Sequence, residues 1–252
     1  MSFSHVSILG VGLLGGSIGL AMRAAGLGAK ITGYGHRRQT LEKAMETGAI
    51  DRPADNLADA VRGADLVILA TPVGVLEPTL SQISGSLEEG AIVTDVGSTK
   101  RSVVEAGEKL LAKGAIFVGS HPMAGSEKRG VEYARADLFA GATCILTPTV
   151  RTPREAVAEV GEFWRSLGMR LTELSPEDHD RLLADVSHLP HAVAAGMVAM
   201  QADEGLSLAG KGFLDTTRIA GGDGGLWRDI FLDNADNLRQ SLGRLRGRLD
   251  EL

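Results

Sequence analysis

His121 stands in the stretch Gly119-Ser120-His121-Pro122-Met123-Ala124-Gly125-Ser126-Glu127. Histidine is the side chain best suited to moving a proton near neutral pH. A histidine in a surface loop would read the same way, so its context has to decide. A second stretch with chemical content is Gly10-x-Gly12-x-x-Gly15. In such a spacing Gly10 permits a tight turn, Gly12 lets backbone approach a pyrophosphate, and Gly15 lets a helix pack on a strand. Backbone N–H groups at the helix start then face the phosphates, and Leu13 and Leu14 join the cofactor set. A proton acceptor and a dinucleotide cradle are together the parts that hydride chemistry needs.

Further candidates follow the same logic. A carboxylate usually closes the second strand of an NAD site, about 20 residues past the glycines, to hold the ribose hydroxyls. Here the stretch is Tyr34-Gly35-His36-Arg37-Arg38, with no acid. Arg37 or Arg38 would instead pair with a 2′-phosphate, which favours NADP with NAD as the alternative. Two surface arginines without a ligand are the competing reading. Thr71 and Pro72 close another strand at the same edge and join the cofactor set.

Asp95-Val96-Gly97-Ser98-Thr99-Lys100 also ends a strand. Ser98 can donate and accept hydrogen bonds, so it suits a position between cofactor, substrate hydroxyl and His121. Capping the next helix is its other possible role, and Asp95 would hold the loop by accepting backbone N–H bonds. Ser187-His188-Leu189-Pro190-His191 sets two histidines on one helix face. Substrate hydrogen bonding is the favoured role there. Helix packing competes, and no acid or cysteine sits nearby at metal-ligand spacing. Arg218 offers a planar fork for a carboxylate, and it would also pass for a surface arginine.

The elements that must position these residues alternate. Strands are expected at 5–9, 30–34, 65–70, 91–96, 115–118, 142–146 and 170–174, with helices between them, the first over 17–25, and a stretch at 73–83 that is helical or irregular because Pro78 interrupts it. The strand at 115–118 is expected to stop at Gly119 and hand His121 to a loop. Continuous apolar runs, rather than alternating ones, imply strands covered on both faces. The expectation for residues 1–174 is a doubly wound α/β dinucleotide-binding domain.

Residues 175–252 lack a convincing strand and read as all-helical. Ser175-Pro176-Glu177-Asp178 has the marks of a helix start. Helical character runs to Ala202 with a bend at Pro190. A glycine-broken stretch spans 210–225, and one last helix spans 226–252. Phe231, Ala235, Leu238, Leu242, Leu245, Leu249 and Leu252 make a heptad-type stripe along it. That stripe serves either packing within the chain or a subunit interface.

Composition narrows the classes. The 252 residues carry a net charge of −6 and only 4% aromatics, so neither a basic field nor stacking platforms suit nucleic acid. The single cysteine, Cys144, lies in an apolar run and excludes an internal disulfide. No metal is expected. Without a leader-like N-terminus or an apolar run of about 18 residues, the expectation is a cytoplasmic protein with no membrane partner.

Taken in order, these motifs resemble the prephenate/arogenate (cyclohexadienyl) dehydrogenase family. The resemblance rests on Gly10–Gly19, Asp95–Lys100, His121–Glu127, Ser187–His191, Asp215-Thr-Thr-Arg-Ile-Ala220 and Trp227-Arg-Asp-Ile-Phe231. It implies oxidative decarboxylation of a cyclohexadienyl acid in tyrosine biosynthesis by a homodimer, with residues 175–252 as the helical substrate and dimerisation domain. It implies His121 as catalytic base and Ser98 as active-site serine. Arg218 becomes the carboxylate anchor, and Ser187, His188 and His191 line the side-chain pocket. Ser126 and Glu127 join the substrate set. Lys211 departs from relatives with a small residue there. Prephenate and arogenate differ by a keto against an amino group, and Glu127 would favour the ammonium if it faces the pocket. The rivals are a two-domain hydroxyacid or imino-acid dehydrogenase or reductase, and a non-catalytic nucleotide-sensing dimer.

Overall fold

The apolar runs of the first part of the chain pair into one sheet. The computed structural model describes residues 3–111, 114–126 and 128–252. The strands are β1 (His5–Leu9), β2 (Lys30–Tyr34), β3 (Arg52–Pro53), β4 (Leu66–Leu69), β5 (Ile92–Asp95), β6 (Ile116–Pro122), β7 (Thr143–Thr147) and β8 (Arg170–Glu173). They lie in the order β3-β2-β1-β4-β5-β6-β7-β8. Every pairing is parallel except β6 with β7. The helices are α1 (Leu13–Ala24), α2 (Arg38–Glu46), α3 (Leu57–Val61), α4 (Leu76–Ile83), α5 (Arg101–Leu110) and α6 (Arg154–Ser166).

Two apolar layers cover the sheet. One gathers Ile18 and Met22 of α1, Leu41 of α2 and Phe163 and Trp164 of α6. The other gathers Val61, Leu80, Ile83, Val103 and Val104 from α3, α4 and α5. This is the doubly wound arrangement that the continuous apolar strands require. Order reverses between β1 and β4, the point where such sheets bind ligands at their carboxyl ends.

Four local readings are corrected. β3 has no sequence signal, because it is two residues long and ends in a proline tolerated only at an edge. Pro78 does not interrupt its helix. It occupies the first turn of α4, where a missing N–H costs nothing. α1 begins at Leu13 rather than Ser17. β6 does not stop at Gly119. Its parallel pairing with β5 ends at Thr94↔Val118, and it then pairs antiparallel with β7 from Gly119↔Thr147 to Pro122↔Cys144. Gly119 is there for close approach: a Cβ would lie 2.4 Å from the Thr147 hydroxyl oxygen. His121 therefore sits in a strand.

The chain divides into two compact units, Met1–His179 and Asp180–Leu252. The later elements are α7 (Pro176–Leu183), a π-helical turn (Ala184–His188), α8 (Leu189–Ala199), α9 (Asp203–Ser207), α10 (Lys211–Thr217), α11 (Gly224–Asp233) and α12 (Ala235–Asp250). Ser175 caps α7, accepting the Asp178 N–H at 3.0 Å. The glycine-broken stretch holds α10. The expected last helix is two helices, cornered at Asn234 with φ −114° and ψ 32°. The heptad stripe is thus broken between Phe231 and Ala235.

Contrary to the expectation, the run Pro176–Ala199 is long and apolar enough by length and composition to cross a membrane. It carries the fully buried Asp180 and His188, and Asn234 donates to the main-chain carbonyl of the first and meets Nδ1 of the second. Such polar groups are costly in a bilayer core, and we read the run as a bundle helix.

One substitution tests the packing behind β6. A Cβ on Gly107 of α5 would lie 2.3 Å from Cγ of the buried Phe117. Alanine gains about 1 kcal/mol of helix propensity over glycine. Overpacking costs about 1–3 kcal/mol and should prevail against a ring held between strand and helix. Gly107→Ala is expected to lower the urea midpoint of unfolding; an unchanged or higher midpoint would mean that Phe117 shifts at no cost.

Candidate active site

Residues at the carboxyl edge of the sheet are set by one carboxylate. Asp95 ends β5 and is fully buried. Its oxygens accept the Gly97 N–H at 2.8 Å and the Ser120 N–H at 3.1 Å. The Lys100 ammonium, also fully buried, pairs with it directly. The loop bearing Ser98 and the strand bearing His121 are thereby tied together. Beneath them the Ser120 hydroxyl donates to the Asp95 carbonyl and accepts from the Trp164 indole N–H at 3.2 Å. Ser98 is half-buried, and α5 has no side-chain cap, so capping is not its role.

His121 is 8% exposed, and its Nδ1 lies 2.9 Å from Nε2 of the fully buried His179. One ring nitrogen donates and the other accepts, so His179 fixes the plane of the His121 ring. Sequence reading missed His179. It lies 58 positions away at a helix start, where its neighbours explained the pattern as capping. The Cys144 thiol, in the strand opposite Pro122, is pushed well above its ordinary pKa by burial, so it stays protonated.

The glycine stretch is built for an anion. Gly10 has φ +104°, and a Cβ there would lie 2.5 Å from the Ala70 carbonyl oxygen. A Cβ on Gly15 would lie 2.1 Å from the Gly10 carbonyl oxygen. At Gly12 a Cβ would meet nothing within 4 Å, so its α-carbon borders open space. α1 begins there with no side-chain cap and no acid in its first turn. The N–H groups near Leu13 and Leu14 thus face outward with the positive end of the helix dipole behind them. Thr71 lies against Gly10, and its buried hydroxyl has no partner among the described residues. These features fit a dinucleotide pyrophosphate. At the ribose end His36, Arg37 and Arg38 are exposed, and Arg38 is engaged by Glu42 at 3.0 Å.

The second unit brings its own polar residues together. His191 stacks on Trp227 with centroids 3.5 Å apart at 14°, and burial lowers its pKa. His188 meets the edge of the same indole at 6.3 Å. The two histidines share a site because the π turn and α8 present them to one ring. Ser187 is half-buried. Arg218 is exposed on a turn after α10 and makes no ion pair among the described residues. Lys211 is bound by Asp215 at 2.6 Å. In the first unit Ser126 is exposed and accepts the Lys128 N–H, and Glu127 lies outside the described residues. No group of three or more potential metal ligands occurs among the described residues.

Comparison with known proteins fits this site. Residues 18–173 match the family model "Prephenate dehydrogenase, nucleotide-binding domain", and residues 175–252 match "Prephenate dehydrogenase, dimerization domain". The prephenate dehydrogenase of Bacillus subtilis is 39% identical over 240 residues, covering 92% of this chain and 65% of that protein. The cyclohexadienyl dehydrogenase of Zymomonas mobilis is 34% identical over 243 residues, covering 94% and 83%. The crystal structure of prephenate dehydrogenase from A. aeolicus in complex with hydroxyphenyl propionate and NAD+ aligns with a TM-score of 0.93 at 39% identity. That alignment covers 100% of this chain and 90% of the other. With both of its parts matched in order and its fold reproduced end to end, the chain belongs to the prephenate dehydrogenase family.

Proposed function

We propose that the chain oxidatively decarboxylates a cyclohexadienyl acid, prephenate or arogenate, to the matching 4-hydroxyphenyl compound. The observation that supports this most is the buried His121 ring held at Nδ1 by His179, on the same sheet edge as the pyrophosphate cradle. A bound nicotinamide dinucleotide supplies the hydride acceptor. With Nδ1 engaged, His121 takes the substrate hydroxyl proton at Nε2 as the carbon–hydrogen bond breaks. Loss of CO₂ from the opposite ring carbon makes the ring aromatic and draws the step forward. Ser98 orients the hydroxyl. Arg218 holds a carboxylate through its fork, with Ser126 and Glu127 in the substrate set. Ser187, His188 and His191 line the side-chain pocket. His179 touches no reacting atom in this scheme and is a positioning residue.

The cofactor is read as NADP, with NAD as the alternative. Support comes from the absence of an acid after β2 and from the exposed Arg37, which has no ion pair among the described residues. We read the assembly as a homodimer through the second unit. Large apolar side chains lie exposed there, among them Val186 at 71%, Met200 at 77%, Leu208 at 85% and Leu232 at 70%. The lower heptad stripe, Leu242, Leu249 and Leu252, is exposed as well. Apolar surface of this kind usually marks an interface.

Steady-state assays with prephenate and arogenate, each with NADP+ and NAD+, test the reading. His121→Asn is expected to lower kcat by roughly 10²–10⁴-fold with cofactor binding retained; near-normal turnover would remove His121 from the chemistry. His179→Ala is expected to lower kcat less and to leave the cofactor KM unchanged. Arg37→Ala should raise the KM for NADP+ by about tenfold, the scale of one charged hydrogen bond, and leave NAD+ nearly unaffected. Equal effects on the two cofactors would contradict the 2′-phosphate reading. Light scattering should give twice the chain mass, with Leu242→Glu shifting the protein toward monomer; a native monomer at micromolar concentration would count against the interface.

A further inference from the structure

β5 and β6 separate at a defined rung. Ile116 of β6 donates its N–H to the Ala91 carbonyl at 2.9 Å, and the register runs on to Thr94↔Val118. Four residues further along both strands, the same kind of rung would join the Ser120 N–H to the Asp95 carbonyl. The ladder stops short of it. The Ser120 N–H goes to the Asp95 carboxylate at 3.1 Å instead, and the Ser120 hydroxyl bonds the Asp95 carbonyl. A carbonyl has no proton to give, so the hydroxyl is the donor. Two side chains have thus replaced one main-chain hydrogen bond. Directly bonded strands lie roughly 4.7–4.9 Å apart, and a rung made through side chains holds them wider. Ser120 is fully buried and also accepts the Trp164 indole N–H at 3.2 Å. Beyond this rung β5 runs into the loop that bears Ser98, and the next residue of β6 is His121.

We propose that the Ser120 hydroxyl is a strut that sets the gap between His121 and the Ser98 loop, which makes Ser120 a positioning residue for proton transfer to His121. The proposal rests on the functional reading above, in which His121 takes the substrate hydroxyl proton and Ser98 orients that hydroxyl. A base works within hydrogen-bond reach, about 2.6–3.2 Å, of the proton it takes. A hydroxyl that meets Ser98 and His121 together must lie within that reach of both, so the gap has one useful width. Without the Ser120 hydroxyl, the Asp95 carbonyl would be buried without this donor, which is costly. The nearest replacement is the main-chain N–H of residue 120. The regular rung would then close and draw His121 toward β5. Ser120 acts through His121 and touches no reacting atom.

The experiment uses the full chain, assayed with prephenate and arogenate. Ser120→Ala is expected to lower kcat by roughly tenfold to hundredfold, the scale of a misplacement of about 1 Å, with the KM for the nicotinamide cofactor unchanged. Ser120→Thr keeps the hydroxyl and should recover most of that loss. Trp164→Phe removes the other bond to Ser120 but leaves the strut, so it should lower the thermal midpoint and keep kcat near native. A near-native kcat in Ser120→Ala, or equal losses of kcat in Ser120→Ala and Trp164→Phe, would overturn the proposal. In a crystal structure of Ser120→Ala the N–H of residue 120 should bond the Asp95 carbonyl directly, and an unchanged gap would overturn the strut. If Ser120→Ala does not fold, Ser120→Cys takes its place, since a thiol of similar shape is only a weak donor, and a native kcat there would overturn the proposal. Turnover of neither substrate by the native enzyme would instead defeat the functional reading, and the crystal structure of the variant would still judge the strut.

Discussion

A single buried carboxylate sets the geometry of the first unit. Asp95 takes two backbone N–H groups from two different segments and an ammonium from a third position. An isolated carboxylate at that depth would be expensive, and so would an isolated lysine. Each is tolerable only because the other is present, and removing one partner of such a pair costs about 3–5 kcal/mol. The chain cannot relax this arrangement without breaking the join between β5 and β6. Ser98 and His121 are therefore held on neighbouring strand ends by a constraint that neither of them makes. Glycine is required where the join is tightest: at Gly97 a Cβ would lie 2.8 Å from the Asp95 carboxylate.

The second unit solves a similar problem with a neutral group. Its helices carry buried polar atoms that the bundle must satisfy, and Asn234 reaches a carbonyl and a ring nitrogen at once. Asp185 in the π turn is bound by Ser241 and Arg244 of α12, and the Ser241 hydroxyl with the Arg244 guanidinium holds its carboxyl below the usual range. A π turn is a costly irregularity that recurs at functional sites. Here it is pinned at both ends to the same corner and helix, and His188 is its last residue. In both units a histidine of the candidate site is held by a buried polar partner distant in sequence: His179 for His121, Asn234 for His188.

The strands and their order follow from short apolar runs separated by glycine, because strands covered on both faces have no polar side to show. The cradle was legible for the same local reason: three glycines between a strand and a helix have few other uses. His121 was legible as a candidate. Its setting was not, since Gly119 reads as a stop signal and is in fact the point where two strands approach too closely for a Cβ. The break at Asn234 was hidden because the apolar stripe continues in register on both sides of it.

The sequence by itself determined the residue types able to do the chemistry, the alternation that builds the sheet, and the division into an α/β part and a helical part. These are properties of neighbours a few positions apart, where spacing maps directly onto a face or a turn. Only the tertiary structure decided which nitrogen of each histidine is engaged. It alone set the Asp95–Lys100 pair beneath the site, put His179 behind His121 and made Asn234 a corner. Those contacts join residues up to 58 positions apart, and hydrogen-bond direction in a buried site depends on what the fold brings opposite each atom.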